Sequence, residues 1–317
     1  MKENWESEMI VIFGRVNLDY NIYIEKFPIE YEPIRRLPFG ISSTVSGIVL
    51  NNAVAIKTLG EEVALVTLVA KDSFARVILE FMENLGVSTE YAYPYLDETP
   101  ECLILYDGEG RRSIMGDSKN FDQVRVQDSR LEKLIDENQY CIFSRANFCK
   151  PYMEYAFKSG KEIVCDLQLS SSLTEFNAFF VQNSTILFFS GEQGDYEKFM
   201  DEIVSYPHVK IVICGLGEKG VAYKIQGNRE LFIIPAIEQK NVVNSVGAGD
   251  SVVSCFTYMI SKGYDYHTAL KYSVYFASYK IQFKTASEGF LTFEALKKIL
   301  IIKKGYVIEE YSYNWKN

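Results

Sequence analysis

The chain has 317 residues, 48% hydrophobic and 24% charged, a balance that excludes disordered, collagen-like and fibrous chains. At this length a fold needs no disulfide or metal staple. Net charge is −9 and the pI is near 5.0, the opposite sign from a broad nucleic-acid or anionic-membrane binder, so neither partner is expected. Phosphate remains within reach of local backbone amides.

Six cysteines (Cys102, Cys141, Cys149, Cys165, Cys214, Cys255) form no C-x-x-C pair, and the two histidines, His208 and His267, lie far apart. A Cys/His zinc site is therefore not expected. Reduced, buried cysteines fit a cytoplasmic address. The charged start Met1-Lys2-Glu3-Asn4-Trp5-Glu6 lacks the apolar run of a signal peptide. No apolar stretch reaches the ~18 residues of a membrane span.

In chain order, Met9-Ile10-Val11-Ile12-Phe13-Gly14 reads as a short buried strand stopped by glycine. Residues 20–40 carry Pro28, Pro33 and Pro38, which suit edge strands and turns. Helical spacing runs from Ser46 to Leu59 and ends at Gly60. Val63 to Val69 reads as another buried strand, and Ser73 to Leu85 as a helix closed by Gly86. Residues 99–116 read as a β-hairpin turning at Asp107-Gly108-Glu109-Gly110. With the proline-punctuated segment it forms a small separate sheet over about 16–40 and 97–117. Strands follow at 140–144, 162–166, 185–189 and 209–214, a hairpin at 221–234, and helices from near Gly249 and Tyr266. This alternation predicts a mainly parallel α/β sheet covered by helices. There is no internal repeat or linker, so residues 1–317 are expected to form one domain. Lys297-Lys298 and Lys303-Lys304 are expected near a C-terminal helix end.

The most informative stretch is Asn244-Ser245-Val246-Gly247-Ala248-Gly249-Asp250-Ser251, followed by the apolar Val252-Val253-Ser254-Cys255-Phe256. Small residues let the backbone approach a ligand, and amides at a helix start point outward as an anion site. An aspartate there repels phosphate, but makes sense as a base taking the proton of an attacking hydroxyl. The plainer reading is a glycine-rich turn with Asp250 in the first helical turn, favoured by the macrodipole. Gly108-x-Gly110 is no dinucleotide loop, since no helix follows, and there is no G-x-x-x-x-G-K-[ST]. His208 and His267 read as packing residues.

G-A-G-D at a helix start resembles the C-terminal signature of the ribokinase-like (PfkB-type) carbohydrate kinases. Gly14-x-x-Asn17-x-Asp19 resembles that family's sugar-contacting start. Ser46-Gly47-x-x-x-Asn51-x-Ala53, ending in Leu59-Gly60, resembles its G-G-x-x-x-N-x-A…L-G signature with one glycine replaced. Ala70-Lys71-Asp72 resembles its G-x-D, and Gly217-Glu218-Lys219-Gly220 its G-x-x-G turn beside the nucleotide. The resemblance runs from about residue 9 to 300.

The resemblance implies a three-layer ribokinase-like sandwich with a small β lid, and transfer of the γ-phosphoryl group of ATP to a hydroxyl. Asp250 would be the base, and the amides of Gly247, Ala248 and Gly249 the anion hole. Asn17, Asp19, Gly47 and Asn51 would hold a sugar or related small molecule; the weaker alternative is that Asn17 and Asp19 cap a turn and Asn51 is a buried helix amide. Gly217, Gly220 and Ser190 would contact ATP, and Glu192 the accompanying Mg²⁺. A homodimer through the lids is implied as well. A nucleoside acceptor stays open, because Tyr20, Tyr23, Phe27, Tyr31 and Phe39 could stack on a base.

Three further motifs depart from the family's pattern. Asn244 stands where an aspartate normally helps build a monovalent-cation site, so potassium is expected to change the rate little. Ser190-Gly191-Glu192-Gln193 replaces N-x-x-E, and Gln193 lacks the charge that tightens a magnesium water shell. Asp166-Leu167-Gln168-Leu169-Ser170 replaces D-x-N-x-R, losing a bidentate anion contact at Ser170. A catalytically silent ligand-binding protein on the same fold is the rival expectation.

Overall fold

The computed structural model describes residues 9–109, 111–191, 194–239 and 241–302. Its centre is a nine-stranded sheet in the order β13-β12-β11-β10-β9-β8-β1-β4-β5. The inner strands are β1 (Ile10–Phe13), β4 (Val63–Leu68), β8 (Tyr140–Ser144), β9 (Glu162–Leu169), β10 (Ile186–Ser190) and β11 (Ile211–Gly215). They pair in parallel, while β12 (Val221–Ile225) and β13 (Phe232–Ile234) close one edge antiparallel. β5 (Ala92–Tyr93) forms the other edge. Ile10–Phe13 and Val63–Leu68 are buried throughout, which is why they read as apolar runs broken only by Thr67: a parallel sheet covered on both faces has no polar side.

Helices flank the sheet. α1 (Ile48–Leu59) and α8 (Tyr266–Lys280) both pack against α7 (Ala248–Ser261). α3 (Ser129–Asp136) packs on α4 (Lys150–Lys158), and α4 and α5 (Glu175–Gln182) pack on β9, with α6 (Tyr196–Val204) on β11. α2 (Ser73–Asn84) lies beside the second sheet. Its N-cap Asp72 accepts from the Ala75 amide at 2.8 Å, and from the Thr99 amide and hydroxyl at 2.8 and 2.7 Å. The aspartate of the 70–72 motif thus caps one element and fastens the approach to the next.

The second sheet has the order β3-β2-β6-β7, built from β2 (Asn17–Tyr23), β3 (Ile41–Ser46), β6 (Glu101–Tyr106) and β7 (Arg112–Asp117). Here the sequence expectation needs correcting. Residues 41–46 are a strand, whereas the helix was expected to start at Ser46 and the lid segment to end at 40. The prolines at 28, 33 and 38 cannot serve a ladder, and residues 24–40 carry no regular strand. Ile41-Ser-Ser-Thr-Val45 can, and it pairs with β2 from Ile22↔Ile41 to Asn17↔Ser46. A second correction concerns the basic cluster: Lys297 and Lys298 sit within α9 (Phe293–Ile302), and Lys303 and Lys304 lie outside the described residues.

Going along the chain, strands are added outward from β1 to β4 and β5, and then on β1's other side from β8 to β11. Strand order therefore reverses between β1 and β8, and a crevice opens at the carboxyl ends there.

Candidate active site

Alternation along β2 puts Asn17 and Asp19 on one face, with Asn17 Nδ2 donating to Asp19 Oδ1 at 2.6 Å. Both are buried, at 4% and 6% exposure. Burial pushes the Asp19 carboxyl up, opposed by Ser46, Asn17 and Arg15. Gly47 caps α1 with φ 122. A Cβ there would lie 2.5 Å from the Arg15 carbonyl and 3.3 Å from Asn17 Oδ1, so only glycine lets α1 begin against the Asn17 strand. One turn into α1, Asn51 reaches across to α7, and its Nδ2 donates to Asp250 Oδ2 at 2.7 Å. Asn52 repeats the tie by accepting from Ser254 Oγ at 2.8 Å. Asp19, Asn17, Gly47, Asn51 and Asp250 form one continuous cluster, although Asn51 and Asp250 are 199 residues apart.

Burial holds the Asp250 carboxyl up at about 7; Asn51 pulls it down, Asp166 pushes it up, Lys280 pulls it down and Asp19 pushes it up. A carboxyl near neutrality exchanges protons readily at physiological pH. Asp166, near the carboxyl end of β9, is likewise pushed up by burial. The backbone of Gln168 turns left-handed (φ 58) and its amide donates to Asp166 Oδ1 at 2.8 Å.

Gly247 is the N-cap of α7, in the left-handed region at φ 82. A Cβ on it would meet the Ala286 carbonyl at 2.9 Å, so the turn requires glycine there. A Cβ on Gly249 would meet nothing within 4 Å, leaving that helix start open to a ligand. The Ala248 amide donates to the Ser245 carbonyl at 3.2 Å. Of the three amides named for the anion hole, it is the one already engaged in closing the turn.

Ser190 ends β10, and Gly217–Lys219 form a short 3₁₀ turn after β11, closed where Leu216 donates to the Gly220 carbonyl at 2.8 Å. These three nucleotide-side candidates share the sheet's carboxyl edge with Asp166. Glu192, the Mg²⁺ candidate, and Gln193 lie outside the described residues. Among the described residues no three His, Cys, Asp or Glu side chains cluster as a metal site. Tyr31 and Phe39 are 90% and 109% exposed, Phe27 lies under the Arg111 guanidinium, and Tyr20 donates to Glu101 at 3.1 Å. Tyr23 packs edge-on against Tyr106, so the five lid aromatics do not converge as a stacking platform. His208 contacts the Val181 carbonyl at 3.0 Å and His267 the Tyr223 hydroxyl at 2.8 Å, both in packing positions.

Three site residues escaped the sequence reading. Arg112, on lid strand β7, donates to Ser245 Oγ at 2.8 Å, linking the lid to the turn before α7. Lys280, at the end of α8, is fully buried and its Nζ donates to the Val246 carbonyl. Its signal was a lone lysine in the apolar run Tyr275-Phe276-Ala277-Ser278-Tyr279-Lys280-Ile281. Arg145, just past β8, donates to Asn177 Oδ1 at 2.7 Å and approaches Ser170 Oγ at 3.5 Å. A guanidinium thus reaches the corner where Ser170 supplies none, and it pulls the Asp166 carboxyl down. Its position at a strand's carboxyl end was the available clue.

A strand-order reversal carries a glycine-rich helix start and a half-buried carboxylate at its mouth, an arrangement that suits phosphoryl transfer in an α/β crevice. The profile of the pfkB family of carbohydrate kinases matches residues 7–292, and the chain belongs to that family of ATP-dependent carbohydrate kinases. It is 24% identical to the deoxyribokinase of Salmonella typhimurium, over 93% of this chain and 99% of the relative. Identity to the nucleoside kinase of Methanocaldococcus jannaschii is 24%, over 82% of this chain and 86% of that one. Among solved structures, a microbiome-derived acarbose kinase superposes with TM-score 0.84 at 18% identity, covering 93% of this chain and 99% of that one. Arabidopsis thaliana ribokinase, complexed with ribose and ATP, gives TM-score 0.75 at 20% identity over 93% and 99%. The fold is ribokinase-like, with its large, mostly parallel sheet and a small lid sheet.

Proposed function

We propose that this kinase transfers the γ-phosphoryl group of ATP to a hydroxyl of a sugar or related small molecule, with Asp250 as general base. Asp250 takes the hydroxyl proton, the freed oxygen attacks the γ-phosphorus, and ADP leaves with the bridging oxygen's electrons. The outward amides of Gly247 and Gly249, with Ala248 closing the turn, face the charge that builds on the phosphoryl oxygens. Arg112 would add a lid-borne guanidinium beside them. Mg²⁺ enters with ATP as part of the substrate. An ion held mainly by phosphates and water fits a site whose described residues offer no ligand cluster.

One observation carries this reading. Asn51 gives one N–H of its amide to Asp250, while its acceptor, Oδ1, is buried and makes no hydrogen bond within the protein. A buried acceptor left open beside a near-neutral carboxyl is costly unless a ligand donor meets it. Asn17 and Asp19 supply further acceptors and donors in the same cluster, which suits a polyhydroxyl partner. Lid closure over the cluster would exclude water and protect ATP from hydrolysis.

The test is ADP release across hexoses, pentoses, polyols and nucleosides with MgATP present. Stoichiometric ADP and phosphorylated acceptor with at least one polyhydroxyl compound is the expected result. Calorimetric binding of sugars with no ADP release would overturn it in favour of a silent binder. The lid also exposes Tyr31, Ile34, Ile41, Ile114 and Met115, an apolar set that supports a homodimer through the lids. Light scattering is expected to give about twice the chain's 36.3 kDa; a monomer at micromolar concentration would contradict the pairing. All six cysteines are unpaired, in keeping with the cytoplasmic address proposed for an ATP-consuming reaction. Among the described residues, no helix is long and apolar enough to cross a membrane.

A further inference from the structure

Lys280 has 0% exposure, and burying an ammonium is expensive unless it is held and used. Its Nζ donates to the Val246 carbonyl. That carbonyl belongs to the same peptide unit as the Gly247 amide. In a trans peptide the C=O and N–H point in opposite directions, so a cation on the carbonyl side lies behind the N–H that faces the crevice. The rest of the turn is strapped to the same helix end. Val243 and Asn244 amides donate to the Ile281 carbonyl at 2.9 and 3.1 Å. Asn244 Nδ2 donates to the Lys284 carbonyl at 2.8 Å, and its Oδ1 accepts from Val246 at 2.9 Å. Asn244 is therefore spent on neutral hydrogen bonds that shape the turn, and the positive charge beneath it comes from Lys280.

We infer that Lys280 is a positioning residue whose ammonium serves as a covalently held cation behind the anion hole, fixing the Val246–Gly247 peptide and polarising its amide toward the transferred phosphoryl group. A donor whose carbonyl end is bound to a cation is a stronger donor. The same charge biases Asp250 toward its carboxylate form. The groups facing Lys280 are Asp250 on α7, Glu288 beyond α8, and Arg112 on β7. Burial pulls the lysine down to about 8, and the two carboxylates pull it back up. The inference rests on the phosphotransfer reading above, and its test separates the two.

Two variants carry the test. Lys280→Gln keeps a donor for the Val246 carbonyl without the charge; Lys280→Ala leaves a space for a small cation. Both are expected to lower kcat with the best acceptor by at least ~10-fold, with the acceptor KM changed less than ~3-fold. Lys280→Ala is expected to regain part of the loss when ammonium or potassium is added, while the wild type does not respond to either. Melting temperature and circular dichroism verify folding. A folded Lys280→Gln protein with wild-type kcat would reduce Lys280 to a tether and overturn the inference. So would a Lys280→Ala protein that stays slow in ammonium and potassium alike. If the wild type itself turns over no acceptor, the phosphotransfer reading fails. Calorimetry with AMP-PNP then decides for Lys280: the inference expects ~10-fold weaker AMP-PNP binding in Lys280→Gln with ADP binding unchanged, and equal AMP-PNP binding would overturn it.

Discussion

Asp250→Asn is expected to lower turnover with the best acceptor by at least ~10²-fold while ATP affinity stays within a few-fold, as loss of a general base demands. The same substitution is expected to stabilise the protein at alkaline pH. Burial raises the Asp250 carboxyl from an ordinary 3.8 to about 7, so the native state favours the neutral form. A carboxyl raised in the folded state costs nothing below about pH 4 and an increasing amount as pH climbs toward 7; the cost is constant above that. The raised value caps the effect at about 4 kcal/mol, and partial solvent contact brings it to about 1–3 kcal/mol. Asparagine is neutral at every pH and can still accept from Asn51. The variant is therefore expected to melt several degrees above wild type at pH 8 and level with it near pH 4. Near-normal turnover would remove Asp250 from the mechanism. A melting difference that does not vary with pH would remove the buried charge from the account.

Asp19→Ala is expected to reduce kcat/KM for any accepted compound by about 2–5 kcal/mol, or roughly 30- to several-thousand-fold. A pocket made to hydrogen-bond hydroxyls loses that much when a charged partner goes, and Asn17 Nδ2, now held by Asp19 at 2.6 Å, is left without its acceptor. ATP affinity is expected to remain within a few-fold, because Ser190, Gly217 and Gly220 lie at the ends of other strands and distant sites act independently. An Asp19→Ala protein with wild-type kcat/KM would sink the pocket assignment.

What the sequence revealed and what it hid divide along a physical line. The central strands were legible because burial on both faces leaves no polar residue to interrupt Ile10–Phe13 or Ile186–Phe189. The helix start at Gly247-Ala248-Gly249-Asp250 was legible because its chemistry is contiguous: turn, open amides and base lie within four residues. Strand 41–46 was not, since Ser42, Ser43 and Thr44 give no apolar alternation and its place is fixed by pairing to β2. Lys280, Arg112 and Arg145 were hidden for a related reason. Each is an ordinary basic residue in its own segment, and acquires a role only when α8, the lid edge and the β8 exit are folded around one crevice. Arg145 brings a guanidinium to the corner where Ser170 supplies none, and the Lys280 ammonium lies beneath the turn where Asn244 offers no carboxylate to hold a free cation.

The most direct measurement is the pH dependence of kcat/KM for the best acceptor at saturating MgATP, in the wild type and in Asp250→Asn. Only the carboxylate form of Asp250 can take the hydroxyl proton, so activity is lost as pH falls. Wild-type kcat/KM is predicted to rise about tenfold per pH unit from about pH 5, bend near the value of about 7 set by burial, and decline again above about 8 as Lys280 gives up its proton. The residual activity of Asp250→Asn is predicted to lack that bend. A wild-type profile flat from about pH 5 to about pH 9, or an identical bend in both proteins, would contradict Asp250 as the base.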